Sequence, residues 1–203
     1  SGLNIGAGST TINSNLVVET SADYLTDGIQ VGGNGTLTIN GSVKMRKDDA
    51  DNPWGVVTNN VHGNYGPGGY VTNDALEYTG ARWQPTGLYV SESRGHMVVN
   101  GDVDIAVRGT AVITNTYNGA GDVTPDELSS ISLLGDHTKI ITPFQEEAFV
   151  EGFGKFIEPY YSLASYGGTV NVNVKDQVAQ NGKVEIVGNV ISMKRSSGTY
   201  TPD

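Results

Sequence analysis

Cysteine is absent from the 203 residues, which excludes disulfides and thiolate metal sites. Basic side chains are scarce: 12 Lys and Arg stand against 22 Asp and Glu, for a formal charge of -10. Nucleic acid is therefore excluded as a partner, because that affinity rests on cations neutralising phosphates. An anionic membrane surface is disfavoured on the same ground. No stretch approaches the roughly eighteen apolar residues that cross a bilayer, so direct membrane insertion is not expected. Familiar catalytic signatures are missing too. His62, His96 and His137 lie far apart with no HExxH spacing, and no GxSxG elbow occurs. No cofactor, no metal and no catalytic residue is expected, and the chain reads as a non-enzyme.

Apolar content is low at 37%, whereas glycine fills 28 positions, about twice its ordinary share. That balance suits strands joined by tight polar turns, not a helical bundle. The strands declare themselves by repetition. GIQVGGNGTLTINGSVKM (28–45) is echoed by GLYVSESRGHMVVNGDVDI (87–105) and GTVNVNVKDQVAQNGKVEIVGNVIS (168–192). Apolar side chains alternate at Leu37, Ile39, Val43 and Met45 around Gly41, and at Met97, Val99, Val103 and Ile105 around Gly101. They recur at Val184, Ile186 and Val190 around Gly188. Strict alternation marks a strand with one buried face. A glycine that keeps the inward phase marks a sharp bend or a close backbone approach.

Stacked coils follow from this pattern, with Leu37, Met97 and Val184 expected in one inward row. The fold expected is all-β, a right-handed parallel β-helix formed by 1–203 as a single domain or as a fragment of a longer one. The alternative is an antiparallel sandwich with Asn40-Gly41 as a hairpin turn. Ile12, Leu16 and Val18 suggest a degenerate first coil. The glycines at 41, 101 and 188 lie too far apart for single coils of roughly 20–45 residues. Two insertions, about 46–86 and 117–166, absorb the excess. In the second, Thr124-Pro125-Asp126-Glu127 has the form of a capping box and predicts a helix over 125–134. Thr142-Pro143 predicts another short helix, followed by an aromatic group of Phe144, Phe149, Phe153, Phe156, Tyr160 and Tyr161.

GNGTLTINGSVKM, GHMVVNGDVDI and GGTVNVNV…NGKVEIVGNV resemble the passenger region of Gram-negative autotransporters (type V secretion). The resemblance spans about half the chain. It implies a β-helical adhesin exported to the cell surface at the outer membrane, without the membrane barrel that such proteins use for export. The partner implied is a host or bacterial surface glycan or protein.

Trp54, Tyr65, Tyr70, Tyr78 and Trp83, all within 46–86, are the candidate ligand-binding residues. Such side chains offer large rigid contact area with a polar tip; the plainer reading is a small core of the insertion's own. Asp102 and Asp104 are spaced to share a strand face. Polysaccharide-cleaving β-helix enzymes use such carboxylates, although an ordinary solvated face accounts for the pair. The acidic run 48–52 lacks the glycine and closing glutamate of a calcium loop. A purely structural stalk is the third reading.

Overall fold

The alternation resolves, in the computed structural model, into parallel sheets stacked in a β-helix-like fold. The structure describes residues 2–19, 27–45, 65–66, 69–70, 86–107, 109–116, 123–150, 154–174, 181–196 and 199–202. The first coil comprises β1 (Leu3–Ile5), β2 (Gly8–Ile12) and β3 (Leu16–Val18). The second comprises β4 (Asp27–Val31), β5 (Gly35–Ile39) and β6 (Val43–Met45). After the short pair β7 (Tyr65–Gly66) and β8 (Gly69–Tyr70), the third coil is β9 (Thr86–Val90), β10 (His96–Val99) and β11 (Val103–Ala106). The fourth is β12 (Thr110–Asn115), β13 (Ser130–Leu133) and β14 (His137–Ile141). The hairpin β15 (Gln145–Val150) and β16 (Gly154–Pro159) separates it from the fifth. That coil is β17 (Tyr161–Tyr166), β18 (Thr169–Val172) and β19 (Lys183–Val187), and β20 (Asn189–Ser196) and β21 (Thr199–Pro202) finish the chain.

Each strand pairs with its counterpart one coil away. Sheet A runs β1-β4-β9-β12-β17-β20-β21, sheet B runs β2-β5-β10-β13-β18, and sheet C runs β3-β6-β11-β14-β19. All neighbours in these sheets are parallel except β20 and β21. The sandwich alternative is thereby excluded: Asn40-Gly41 joins two sheets and makes no hairpin. Leu3 pairs with Ile29, Thr10 with Leu37 and Leu16 with Val43, so an unadorned coil takes about 27 residues.

The core is the set of inward rows. Leu37, Met97 and Ile131 form one, and Ile39, Val99 and Leu133 the next, all fully buried. Met45, Ile105 and Ile140 do the same in sheet C. Each such side chain contributes about 1.5–3 kcal/mol by leaving water. The first-coil residues Ile12, Leu16 and Val18 pack against this core from one end, on a coil that has all three strands and not the degenerate one expected.

The bends explain the glycines. Between sheets B and C, Gly41 lies over Ser14, Gly101 over Gly41 and Gly135 over Gly101. A Cβ on any of the three would sit closer than 3.0 Å to the backbone of the coil before it. Beside them Asn40 Nδ2 donates to Asn13 Oδ1 at 2.6 Å and Asn100 Nδ2 to Asn40 Oδ1 at 2.8 Å, an amide ladder along the coil axis.

Two expectations need correction. Val184 is not in the row of Leu37 and Met97; it stacks on Thr138, which stacks on Val103. The partner of Met97 is Ile131, and that of Ile131 is Val170. In the third repeat the alternating segment around Gly188 straddles the corner from sheet C to sheet A. In the first two it straddles the corner from B to C, so equal phase concealed a shift of one corner. Nor are the two helices present. Pro125–Glu127 is a single 3-10 turn, in which Thr124 N donates to Glu127 Oε2 at 3.0 Å. The chain then extends as β13, because Ile131 and Leu133 alternate with serines and their burial outweighs the helix-start signal. Likewise Gln145–Val150 is a strand of the hairpin. The region 117–166 therefore contains β13 and β14 of the fourth coil, the hairpin, and β17 of the fifth.

Candidate functional site

Where the chain leaves the scaffold is set by the corners. Residues 46–85 depart after β6 and return at β9; residues 142–160 depart after β14 and return at β17. These two longest connections span the corner from sheet C to sheet A, which the third coil crosses directly from β11 to β12; the shorter connection from β12 to β13 spans the corner from sheet A to sheet B.

The second departure is fastened at its root. Tyr160 N donates to Phe144 O at 3.1 Å. Asn189 Nδ2 donates to Phe144 O at 2.8 Å and to Tyr160 O at 2.9 Å. Gly188 lies beside Thr142 and Ser162 at φ 132, with no room for a side chain and a backbone that favours glycine. Tyr160 is fully buried and Phe144 is 60% exposed. The hairpin pairs Ala148 with Phe156 and Phe149 with Lys155, so the expected aromatic group is spread along it. Phe153 lies outside the described residues.

Both departures return into sheet A, and its outward face is unlike the others. Along one outward row stand Asn4, Gln30, Tyr89, Ile113, Ala164 and Ile191. At the first coils the row is polar, with Asn4 Nδ2 donating to Gln30 Oε1 at 3.3 Å. From the third coil onward it is apolar: Ile113 and Ala164 are buried and packed by Tyr89, Tyr161, Tyr166 and Ile191. Tyr161, the first residue of β17, has its phenol pKa raised by burial. Three half-buried tyrosines thus lie on β9 and β17, the strands into which the excursions return. Tyr161 belongs to the aromatic group expected from the sequence, but Tyr89, on β9, joins Tyr161 and Tyr166, on β17, only through the topology.

Of the aromatics expected to bind, Tyr65 and Tyr70 are directly opposed as Cα partners across β7 and β8. Trp54, Tyr78 and Trp83 lie outside the described residues, as do His62 and the acidic run 48–52.

The carboxylate pair is divided between two tasks. Asp102 lies at the bend before β11, where its Oδ1 accepts from His137 N of the next coil at 3.0 Å and its Oδ2 lies 3.5 Å from His137 Nδ1. Asn15 Oδ1 accepts from Ser42 N at 2.9 Å at the corresponding bend. Asp104 faces outward from sheet C between Lys44 and Lys139, and Lys139 is followed by Glu185. Alternating charge on a strand ladder is the arrangement of a solvated face. Among the described residues, no group of three His, Asp or Glu side chains gathers to hold a metal, and no helix is long and apolar enough to cross a membrane.

No family model, curated protein or solved structure matches this chain.

Proposed function

We propose that this chain is an adhesin segment: a rigid coil that presents excursions to a glycan or protein on a host or bacterial surface. The observation that carries this reading is the common corner from which both long departures leave. A stalk needs no such departures, and a rigid support beneath protruding segments suits recognition by loops. The tyrosines on the strands into which they return add rigid amphipathic contact area of the kind that interfaces favour. Trp54, Tyr65, Tyr70, Tyr78 and Trp83 are the residues proposed to meet the partner. We take the coil to be right-handed, as crossovers between parallel strands overwhelmingly are. The repeat style supports a passenger of the autotransporter type, displayed outside a Gram-negative outer membrane.

Deletion of 48–84 tests the reading. Binding to the target surface should disappear while the β-type circular dichroism stays that of the intact chain. Binding that survives the deletion sinks the assignment of the site to this excursion.

A further inference from the structure

Sheet B has an outward face of another character. Its three outward files are Ser9, Thr36, His96, Ser130 and Thr169; then Thr11, Thr38, Val98, Ser132 and Asn171; then, at the bend, Asn13, Asn40, Asn100, Leu134 and Asn173. Twelve of these fifteen positions are Ser, Thr or Asn, and none is Lys, Arg, Asp or Glu. Soluble surfaces ordinarily intersperse both signs of charge. Sheet C does so in the same coils, with Lys44, Asp104, Lys139 and Glu185 in one row. High strand propensity explains threonine here but not the lack of Lys and Glu beside it.

The face is accessible and ordered. Ser9, Thr11, Thr169 and Asn171 are exposed, and Thr36, Thr38, His96, Val98, Ser130 and Ser132 are half-buried. Among the described residues, side-chain hydrogen bonds within the first two files join His96 Nδ1 to Ser130 Oγ at 2.8 Å and Asn171 Nδ2 to Ser132 Oγ at 3.4 Å. Strands ~4.8 Å apart along the coil axis thus carry hydroxyls, which both donate and accept, in both files at the first, second and fourth coils, with His96 and Val98 between them at the third and the files about 7 Å apart.

We infer that this face binds a neutral, extended polysaccharide lying along the coil axis. Three properties select that occupant. An extended β-linked pyranose chain advances per sugar by nearly the spacing of the strands, so one register serves successive rings. Its hydroxyls match the dual hydrogen-bonding character of Ser and Thr, and neutral groups cost far less to desolvate than charges. Val98, the His96 ring and Leu134, which is 42% exposed, supply apolar contact for the C–H faces of sugars. A polyanion gains no cation here, on a chain of formal charge -10. None of the fifteen positions belongs to the excursions, and the proposal does not rest on the function assigned to them.

Affinity electrophoresis in gels containing a soluble linear β-glucan tests this, with polygalacturonate gels as the charged comparison. The intact chain should be retarded by the glucan alone, with little change on adding salt. Thr38→Lys/Ser132→Lys should weaken retardation about tenfold or more, by putting two ammonium groups where a neutral chain lies. Thr11→Lys/Asn171→Lys, at exposed positions of the same file, guards against a folding defect and should weaken it as well. Lys44→Thr on sheet C should leave it unchanged. Absence of retardation by the glucan overturns the proposal. So does a preference for polygalacturonate, or wild-type retardation of both lysine pairs when circular dichroism shows them folded.

Discussion

Replacing Gly101 by alanine isolates what the stacked bends demand. The new Cβ would meet the carbonyl carbon and oxygen of Gly41 and the Ser42 nitrogen, all closer than 3.0 Å and all backbone. No side chain can swing aside. Coil two and coil three must separate at this corner, straining β5–β10 and β6–β11 pairing on either side of it. Forced overpacking of this kind costs about 3 kcal/mol. In a chain of this size the melting temperature should fall by about 6–12 °C.

Two other glycines separate space from backbone angle. A Cβ at Gly6 meets nothing within 4 Å, so Gly6→Ala should be neutral or stabilising by about 0.4–1 kcal/mol through the unfolded state. Gly8 also has open space but sits at φ 75, so Gly8→Ala should cost about 1–2 kcal/mol from backbone strain alone. Urea titrations followed by circular dichroism would rank the three, with unchanged m-values showing that the midpoint shift is a stability change. If Gly101→Ala unfolds at the same urea concentration as Gly6→Ala, the stacking argument is wrong.

Thr138 lies inward in a row otherwise made of Leu16, Val43, Val103 and Val184, and its buried Oγ1 has no hydrogen-bond partner. Thr138→Val should stabilise by about 1 kcal/mol, read as a rise in melting temperature of about 2–4 °C; a fall refutes the account of that hydroxyl. Burial raises the Tyr161 pKa, so the folded state resists ionisation that the unfolded chain undergoes at about pH 10. Fewer protons are then held by the unfolded chain, and stability should decline as pH climbs past that value and through the raised folded pKa. Tyr161→Phe should flatten the alkaline limb of a melting-temperature profile measured to pH 11, and an unaltered limb would count against burial of that phenol.

Much of the scaffold was legible because alternation and bend chemistry sit next to each other in the chain. Leu37, Ile39, Gly41, Val43 and Met45 carry a strand, a corner and a strand within nine residues, and their echo around Gly101 gives the stacking. Legibility failed where one signal imitated another. Gly188 has the phase of Gly101 but turns a different corner, since the 173–182 connection lengthens the bend that Gly135 makes tightly in the coil before. Around Thr124 the local grammar of a helix start is real, and the capping hydrogen bond forms. It lasts one turn because Ile131 and Leu133 gain more by stacking on Met97 and Val99. The joining of Tyr89 to Tyr161 and Tyr166 on sheet A and the face of sheet B without Lys, Arg, Asp or Glu escaped for a different reason. Each gathers residues tens of positions apart, and a face exists only once the register is known.

That the two excursions share one corner fixes their spacing. The first leaves between the second and third coils, the next between the fourth and fifth, so their roots are two rungs apart, or about 10 Å. Adding or removing a coil between them would change that separation in steps of one strand width without moving either to another side of the shaft. Distance between the two roots is thus adjustable independently of the side they occupy, as on a ruler graduated in strands.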